Sequence, residues 1–295
     1  MDAELNLIDK VDLRVTLASS NESFVKNLAV FLPPLILKLS SKFREVRTKI
    51  LKFLGHLMIR INSSEDILLP IEKLLDHAKS TVGLPESGVV DSATIDNFNQ
   101  VKLYSYLFVC KGLERESDES KFLSYIPLTI ECLEKQLGIS KLRLSSSNGM
   151  VTSRCFNVLL KLFGRIGEKT WKNLQTSKIK ISDSLVYNNS GGFTKDFLKL
   201  NSNLESCTFI LDQFSKLFLL LPTPNTSANN DGPLQFYFCP GLTNDEVKFL
   251  TYDAGSTFNY QSLLDLRIKI LLFLQLIDFE VFNAPQSFDT LEYLR

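Results

Sequence analysis

Histidine is nearly missing from this sequence. His56 and His77 are the only two in 295 residues, and neither has a Cys, His or carboxylate partner at a metal-ligand spacing. A metal centre is therefore not expected, and neither imidazole reads as a catalytic base. His56 sits on a helix beside Gly55 and Leu57, and His77 lies near a helix end, where an imidazolium suits the helix dipole. Cysteine is present without any pattern. Cys110, Cys132, Cys155, Cys207 and Cys239 are widely spaced with no CxxC pair, which excludes a disulfide framework and leaves reduced core residues. Net charge is missing as well: 33 basic and 33 acidic side chains cancel, so no whole-molecule field steers the chain to nucleic acid or to an anionic membrane.

Long hydrophobic runs are also lacking. Ile268 to Phe282 is interrupted by Lys269, Asp278 and Glu280, and Cys207 to Leu221 contains Asp212 and Lys216. Neither supplies the roughly 20 apolar residues of a span, and no membrane insertion is expected. The opening Met1-Asp2-Ala3-Glu4 has no basic segment followed by an apolar run, so an intracellular compartment is expected. The Asn-x-Ser/Thr triplets at Asn21, Asn62 and Asn225 are then helix-cap and loop chemistry rather than glycosylation sites. No GxSxG elbow occurs. Gly164-Arg165-Ile166-Gly167 lacks the phosphate-loop spacings and follows a helical segment, so it reads as a helix end. Asp245-Glu246 belongs to the first turn of a helix and needs no glycosidase chemistry. Nothing argues for an enzyme or for a cofactor.

What remains is a globular composition, 44% hydrophobic and 22% charged, arranged with helical periodicity. In Lys42 to Ile61, the residues Phe43, Val46, Ile50, Phe53, Leu57 and Ile61 recur at steps of three and four. Leu51, Leu54 and Met58 widen that stripe, so more than one neighbour covers the helix. Phe24 to Leu39 has an apolar face broken by Pro33-Pro34, a pair expected to kink the helix or split it in two. Helices follow at Asp66 to Ala78, Asp96 to Leu113, Phe122 to Leu137 with Gly138 as its stop, and Val151 to Ile166, where Ser147-Asn148-Gly149 restarts the chain. Leu204 to Leu221 is helical up to Pro222 and Pro224. Thr243 and Glu246 have the spacing of a capping box for a short helix to about Leu250, and Ser262 to Ile277 is a strongly apolar helix. Asn225 to Gly232 is too polar to repay its ordering entropy. The expected fold is all-α, a HEAT-like solenoid of antiparallel helix pairs across 1–295, with irregular inserts at 170–202 and 222–240.

One charge feature stands out. Lys38, Lys42, Arg44, Arg47, Lys49, Lys52 and Arg60 crowd one region with only Glu45 among them. Arg44, Arg47 and Lys52 fall away from the apolar stripe and form a candidate protein-binding basic face. The readings are, in order, an ordinary solvated face, a contact for an acidic protein surface, and a nucleic-acid contact. A short patch without interleaved exposed aromatics on a neutral chain weighs against the last.

Phe31-Leu32-Pro33-Pro34-Leu35-Ile36-Leu37-Lys38-Leu39-Ser40, then Val46-Arg47-Thr48-Lys49-Ile50 and Leu69-Pro70-Ile71-Glu72-Lys73-Leu74-Leu75, resemble the amino-terminal region of the proteasome adaptor and scaffold family, the large HEAT-repeat proteins of the extracellular-mutant group. Pro240-Gly241-Leu242-Thr243 and Asp265 to Leu274 extend the resemblance to about half the chain. It implies a non-enzymatic scaffold that binds the 26S proteasome and tethers its regulatory and core particles, in cytoplasm and nucleus. It also implies that this sequence corresponds to the amino-terminal segment of a longer protein. The alternative is a helical-repeat binding protein of nuclear transport or vesicle trafficking.

Overall fold

The computed structural model describes residues 1–79, 92–142, 146–180, 204–221, 239–251 and 260–275. Among them the chain is all-α, with no strand. The helices are α1 (Asp2–Thr16), α2 (Asn21–Leu37), α3 (Arg44–Asn62), α4 (Ile71–Lys79), α5 (Ser92–Arg115), α6 (Glu119–Leu142), α7 (Ser146–Arg165), α8 (Glu168–Lys180), α9 (Leu204–Leu219), α10 (Asn244–Thr251) and α11 (Tyr260–Leu274). They group into two units: Met1–Asp118 with Gly138–Val158, and the described residues of Glu119–Leu137 with Leu159–Arg295.

In the first unit, α3 buries most of the stripe that its periodicity predicts: Val46, Ile50, Phe53, Leu57 and Ile61 lie in the core, while Phe43 is its N-cap and only half-buried. Each such side chain contributes about 1.5–3 kcal/mol on burial. The charged pairs fix the directions of the helices. Lys38, just past α2, pairs with Glu4 at the start of α1 at 2.6 Å, while Asn27 donates to the Arg14 carbonyl near the end of α1. Those contacts make α1 and α2 antiparallel. Lys49 in the first half of α3 pairs with Asp9 at 2.5 Å, and Arg60 in its last turn reaches the end of α1, so α3 runs parallel to α1.

The helix ends are closed by cations from elsewhere in the chain. The final carbonyls of a helix lack amide partners and carry the negative end of its dipole. Arg60 donates to the carbonyls of Val15 (3.1 Å), Thr16 (3.2 Å) and Ala18 (2.6 Å) while stacking over the Phe24 ring at 4.0 Å. Arg115, the last residue of α5, donates to the Ile61 carbonyl at the end of α3 at 2.7 Å. The device recurs in the second unit. There Lys269 donates to the Gly164 carbonyl at 2.8 Å, and Arg267 to the carbonyls of Leu217 and Leu220.

The double proline does not split its helix. α2 continues through Pro33 and Pro34 to Leu37, and a 3-10 turn, Lys38–Ser40, follows. A proline at position 33 deprives the Ala29 carbonyl of its amide donor, and Lys73 of α4 supplies the missing bond at 3.1 Å. With Leu28, Leu32, Leu35 and Ile36 buried around it, packing outweighs the local penalty. The segment Asn21–Ser40 is also long and apolar enough by length and composition to cross a membrane, with a mean hydropathy of 1.3. Six residues of α2, Phe24, Leu28, Leu32, Pro33, Leu35 and Ile36, are buried in this unit.

Three other boundaries shift. α4 begins at Ile71 rather than near Asp66, because Pro70 pushes Leu69 out of the helical region. α7 begins at Ser146 and includes Asn148 and Gly149, since Asn148 accepts from Asn99 of α5 at 2.8 Å inside the core and the turn is held by that bond. α6 runs past Gly138 to Leu142, a glycine continuation that nothing in the structure explains. The sparsely apolar α1 is a helix that periodicity does not announce. Of 170–202, residues 170–180 lie in α8 and 181–202 fall outside the described residues; of 222–240, so do 222–238. The same holds for the expected disorder at Asn225 to Gly232.

The second unit is centred on an aromatic cluster. Phe163 of α7 stacks on Trp171 of α8 with centroids 5.1 Å apart and meets Phe214 of α9 and Phe273 of α11 edge-on at 5.4 and 4.6 Å. Such pairs add about 0.5–1.5 kcal/mol each beyond area burial. The predicted capping box is present. Thr243 Oγ1 accepts from the Glu246 amide at 3.3 Å, and the Glu246 carboxylate accepts from the Thr243 amide at 2.8 Å.

Candidate protein-binding face

The outer side of α3 is where the predicted basic residues fall. Burying Val46, Ile50, Phe53 and Leu57 turns positions 44, 48 and 52 outward along one line, because residues four apart lie on one face of a helix. Arg44, Thr48 and Lys52 are exposed. With Glu45 and Lys49 they line an open depression of about 490 Å³.

The seven cations of this region are not equivalent. Lys38 is bound to Glu4, whose carboxyl is held below its ordinary value chiefly by that bond. Lys49 is held by Asp9 and lies 3.4 Å from the Leu5 carbonyl. Arg60 is the clamp on α1. Arg47, half-buried, donates to the Ser41 carbonyl at 2.7 Å and so closes the turn before α3. Lys42 lies over the ring of its neighbour Phe43 at 5.1 Å. Among the described residues, Arg44 and Lys52 have no partner. The predicted trio therefore divides: Arg44 and Lys52 are available, and Arg47 is a structural donor.

The start of α3 adds to this positive character. Phe43 at its N-cap makes no side-chain cap bond, so free amides and the positive end of the dipole stand beside Arg44. Cations there oppose the helix dipole and are not selected by helix stability. The five cysteines are free and buried, and burial pushes the thiols of Cys155 and Cys207 up to about 12, which leaves them protonated at neutral pH. His56 is exposed, while burial lowers His77 below its ordinary value. Among the described residues no three His, Cys, Asp or Glu side chains converge on a metal position.

Packed helices, four of whose ends are clamped by cations from elsewhere in the chain, define an all-α protein with an outward charged helix face. Residues 8–285 match the family described as "Proteasome component ECM29, N-terminal", and the chain belongs to that family. It is 31% identical over 300 residues to the "Proteasome component ECM29" of Saccharomyces cerevisiae, a match covering 99% of this chain and 14% of that protein. Against the human "Proteasome adapter and scaffold protein ECM29" it is 44% identical over 72 residues, 24% of this chain and 4% of that one. The Drosophila melanogaster "Proteasome-associated protein ECM29 homolog" is 32% identical over 114 residues, 39% of this chain and 5% of that one. No solved structure matches it.

Proposed function

We propose that this chain is the amino-terminal part of a non-enzymatic proteasome scaffold, a HEAT-like array that works in cytoplasm and nucleus. In this reading the whole scaffold binds the 26S proteasome and helps tether its regulatory and core particles. The observation that carries the reading is the match over nearly the whole chain to a protein named as a proteasome component. The array reading is supported by the first unit, where α1 and α2 are antiparallel, α3 is parallel to α1, and α1 and α3 each end in a clamp from the next odd helix. Stacked pairs of this kind bury one continuous core and collect binding over an extended surface.

The contact assigned to this segment is the outer face of α3, with Arg44 and Lys52 as its free charges and an acidic protein surface as its partner. The test is affinity capture from lysate with a tagged full-length family member carrying this region, alongside the tagged 295-residue chain. The long protein is expected to capture proteasome particles, and the short chain to capture them weakly or not at all, because affinity is shared over many repeats. Arg44→Glu with Lys52→Glu should lower capture most at low salt, as expected when charge attraction sets the association rate. Arg47 is left intact because its loss would open the turn at Ser41. Capture of a transport or trafficking complex without proteasome subunits would replace this reading with that one.

A further inference from the structure

The outward sides of α1 and α3 form a surface of two halves. Burial of Ile8 and Val15 turns Leu13 and Leu17, four residues apart, away from the core of the first unit; they are 61% and 70% exposed. On α3 the outward line that begins with Arg44, Thr48 and Lys52 continues to Gly55 and Ile59. Ile59 is 70% exposed, and a Cβ at Gly55 would meet nothing within 4 Å, so this half of α3 presents an uncovered isoleucine beside bare backbone. Arg60 brings the ends of the two helices together. Its guanidinium holds the Thr16 and Ala18 carbonyls on either side of Leu17, and Ile59 is its neighbour in sequence. The parallel pair α1 and α3 thus exposes leucine and isoleucine at one end and the free cations Arg44 and Lys52 toward the other.

Each half rejects a different occupant. A wholly acidic segment would leave the apolar end in water, and a wholly apolar one would strip water from two unpaired cations. Lys49 is already neutralised by Asp9, so Arg44 and Lys52 against Glu45 leave a local excess of positive charge that repels a basic partner. A second copy of this chain does not fit either. A two-fold contact between two such α3 lines is centred midway from residue 44 to residue 59, close to Lys52, and sets that lysine against its own copy. Stable attachment to an anionic bilayer takes a polybasic cluster, and the free cations here are two. Along the helix Lys52 stands about 10 Å and Arg44 about 22 Å from Ile59. We infer that this face takes a segment of a partner protein that is apolar at one end and acidic at the other. A large apolar side chain is seated on Gly55 beside Ile59 and Leu17, and carboxylates about 10 and 22 Å further along meet Lys52 and Arg44. The inference rests on the acidic-partner reading of the α3 face and adds to it the apolar anchor and the direction of the bound segment.

The test places the photoreactive residue p-benzoylphenylalanine at position 59 of a full-length family member carrying this region, crosslinks it in living cells and sequences the attached peptide. A peptide with a large apolar residue at the crosslink and carboxylates within about 22 Å of it is expected, whichever complex supplies it. The source of the peptide decides the proteasome reading and its chemistry decides this one, so the two can fail separately. Leu17→Ser with Ile59→Ser, both at exposed positions, should weaken capture of that same partner about tenfold or more, by the same factor at low and high salt, because apolar burial is not screened. Arg44→Glu with Lys52→Glu should weaken it mainly at low salt. No crosslink from position 59, a crosslink to a basic or wholly polar segment, unchanged capture by the serine pair, or co-sedimentation of the 295-residue chain with phosphatidylserine vesicles would each overturn the assignment.

Discussion

Replacing Arg60 with methionine keeps an apolar stem and removes the guanidinium, so it tests whether the end of α1 is held from outside. In the structure that group makes three bonds to carbonyls and covers the Phe24 ring. Water can replace part of the hydrogen bonding once the clamp is gone, so the bonds together are set at the worth of a single bond to a charged donor, about 1.5–3 kcal/mol. The ring contact adds about 0.5–1 kcal/mol. Local stability of α1 should then fall by about 2–4 kcal/mol, which converts to amide exchange faster by about 30- to 1000-fold. The assay is native-state hydrogen exchange with fragment resolution, comparing α1 with α11. Acceleration is expected across Asp2–Thr16 and not across Tyr260–Leu274. Arg60→Lys, which keeps the charge but not the planar fork, should lie between. A change below about threefold in α1 of the methionine variant would show that packing alone holds the helix and would refute the clamp.

Gly112→Ala should destabilise the first unit by about 1–3 kcal/mol in urea, because a Cβ there would stand 2.7 Å from Ile71 Cγ1 and 3.2 Å from Leu69 Cβ; unchanged stability would mean that α4 and α5 separate readily. Phe53→Ala empties a site that is 3% exposed and should cost about 3–5 kcal/mol; a loss below about 1 kcal/mol would contradict full packing. Glu246 is held down to about 2, first by the Thr243 amide and then by Lys216. Its contribution to α10 is therefore complete above pH 4.5 and lost as pH falls toward 2. A ¹³C titration of its carboxyl should show that low midpoint, Glu246→Gln should abolish the step in stability across this window, and a midpoint near 4.5 would refute the capping geometry.

Much of the fold was legible because periodicity reports burial directly. The core stripe of α3 and the Thr243 to Glu246 box are local patterns with a single physical solution, and the structure contains both. The split at Pro33-Pro34 does not occur, and the compensating Lys73 lies 44 residues away, where no window on α2 can register it. The basic cluster was legible as composition and not as function. Charge counts cannot distinguish Arg44, which is free, from Arg60, which is bound to three carbonyls. The two clamps of the first unit do share a local position: Arg60 and Arg115 each stand in the last turn of their helix, whereas Arg14 and Arg165, in the last turns of α1 and α7, lie over the rings of Phe31 and Phe122.

The two units close over different spans of chain, and this bears on the order in which they form during synthesis. Arg60 and Arg115 reach back 45 and 54 residues to their carbonyls, so α1 to α5 can be clamped soon after α5 is complete. Lys269 reaches back 105 residues to Gly164, and Phe273 completes the cluster begun by Phe163. Because amino-terminal parts fold first and long closures are slow, a nascent chain that stops short of α11 presents Phe163, Trp171 and Phe214 without their closing partner. A truncation before residue 260 removes both Lys269 and Phe273 and leaves the Gly164 carbonyl and the Phe163 ring without those partners.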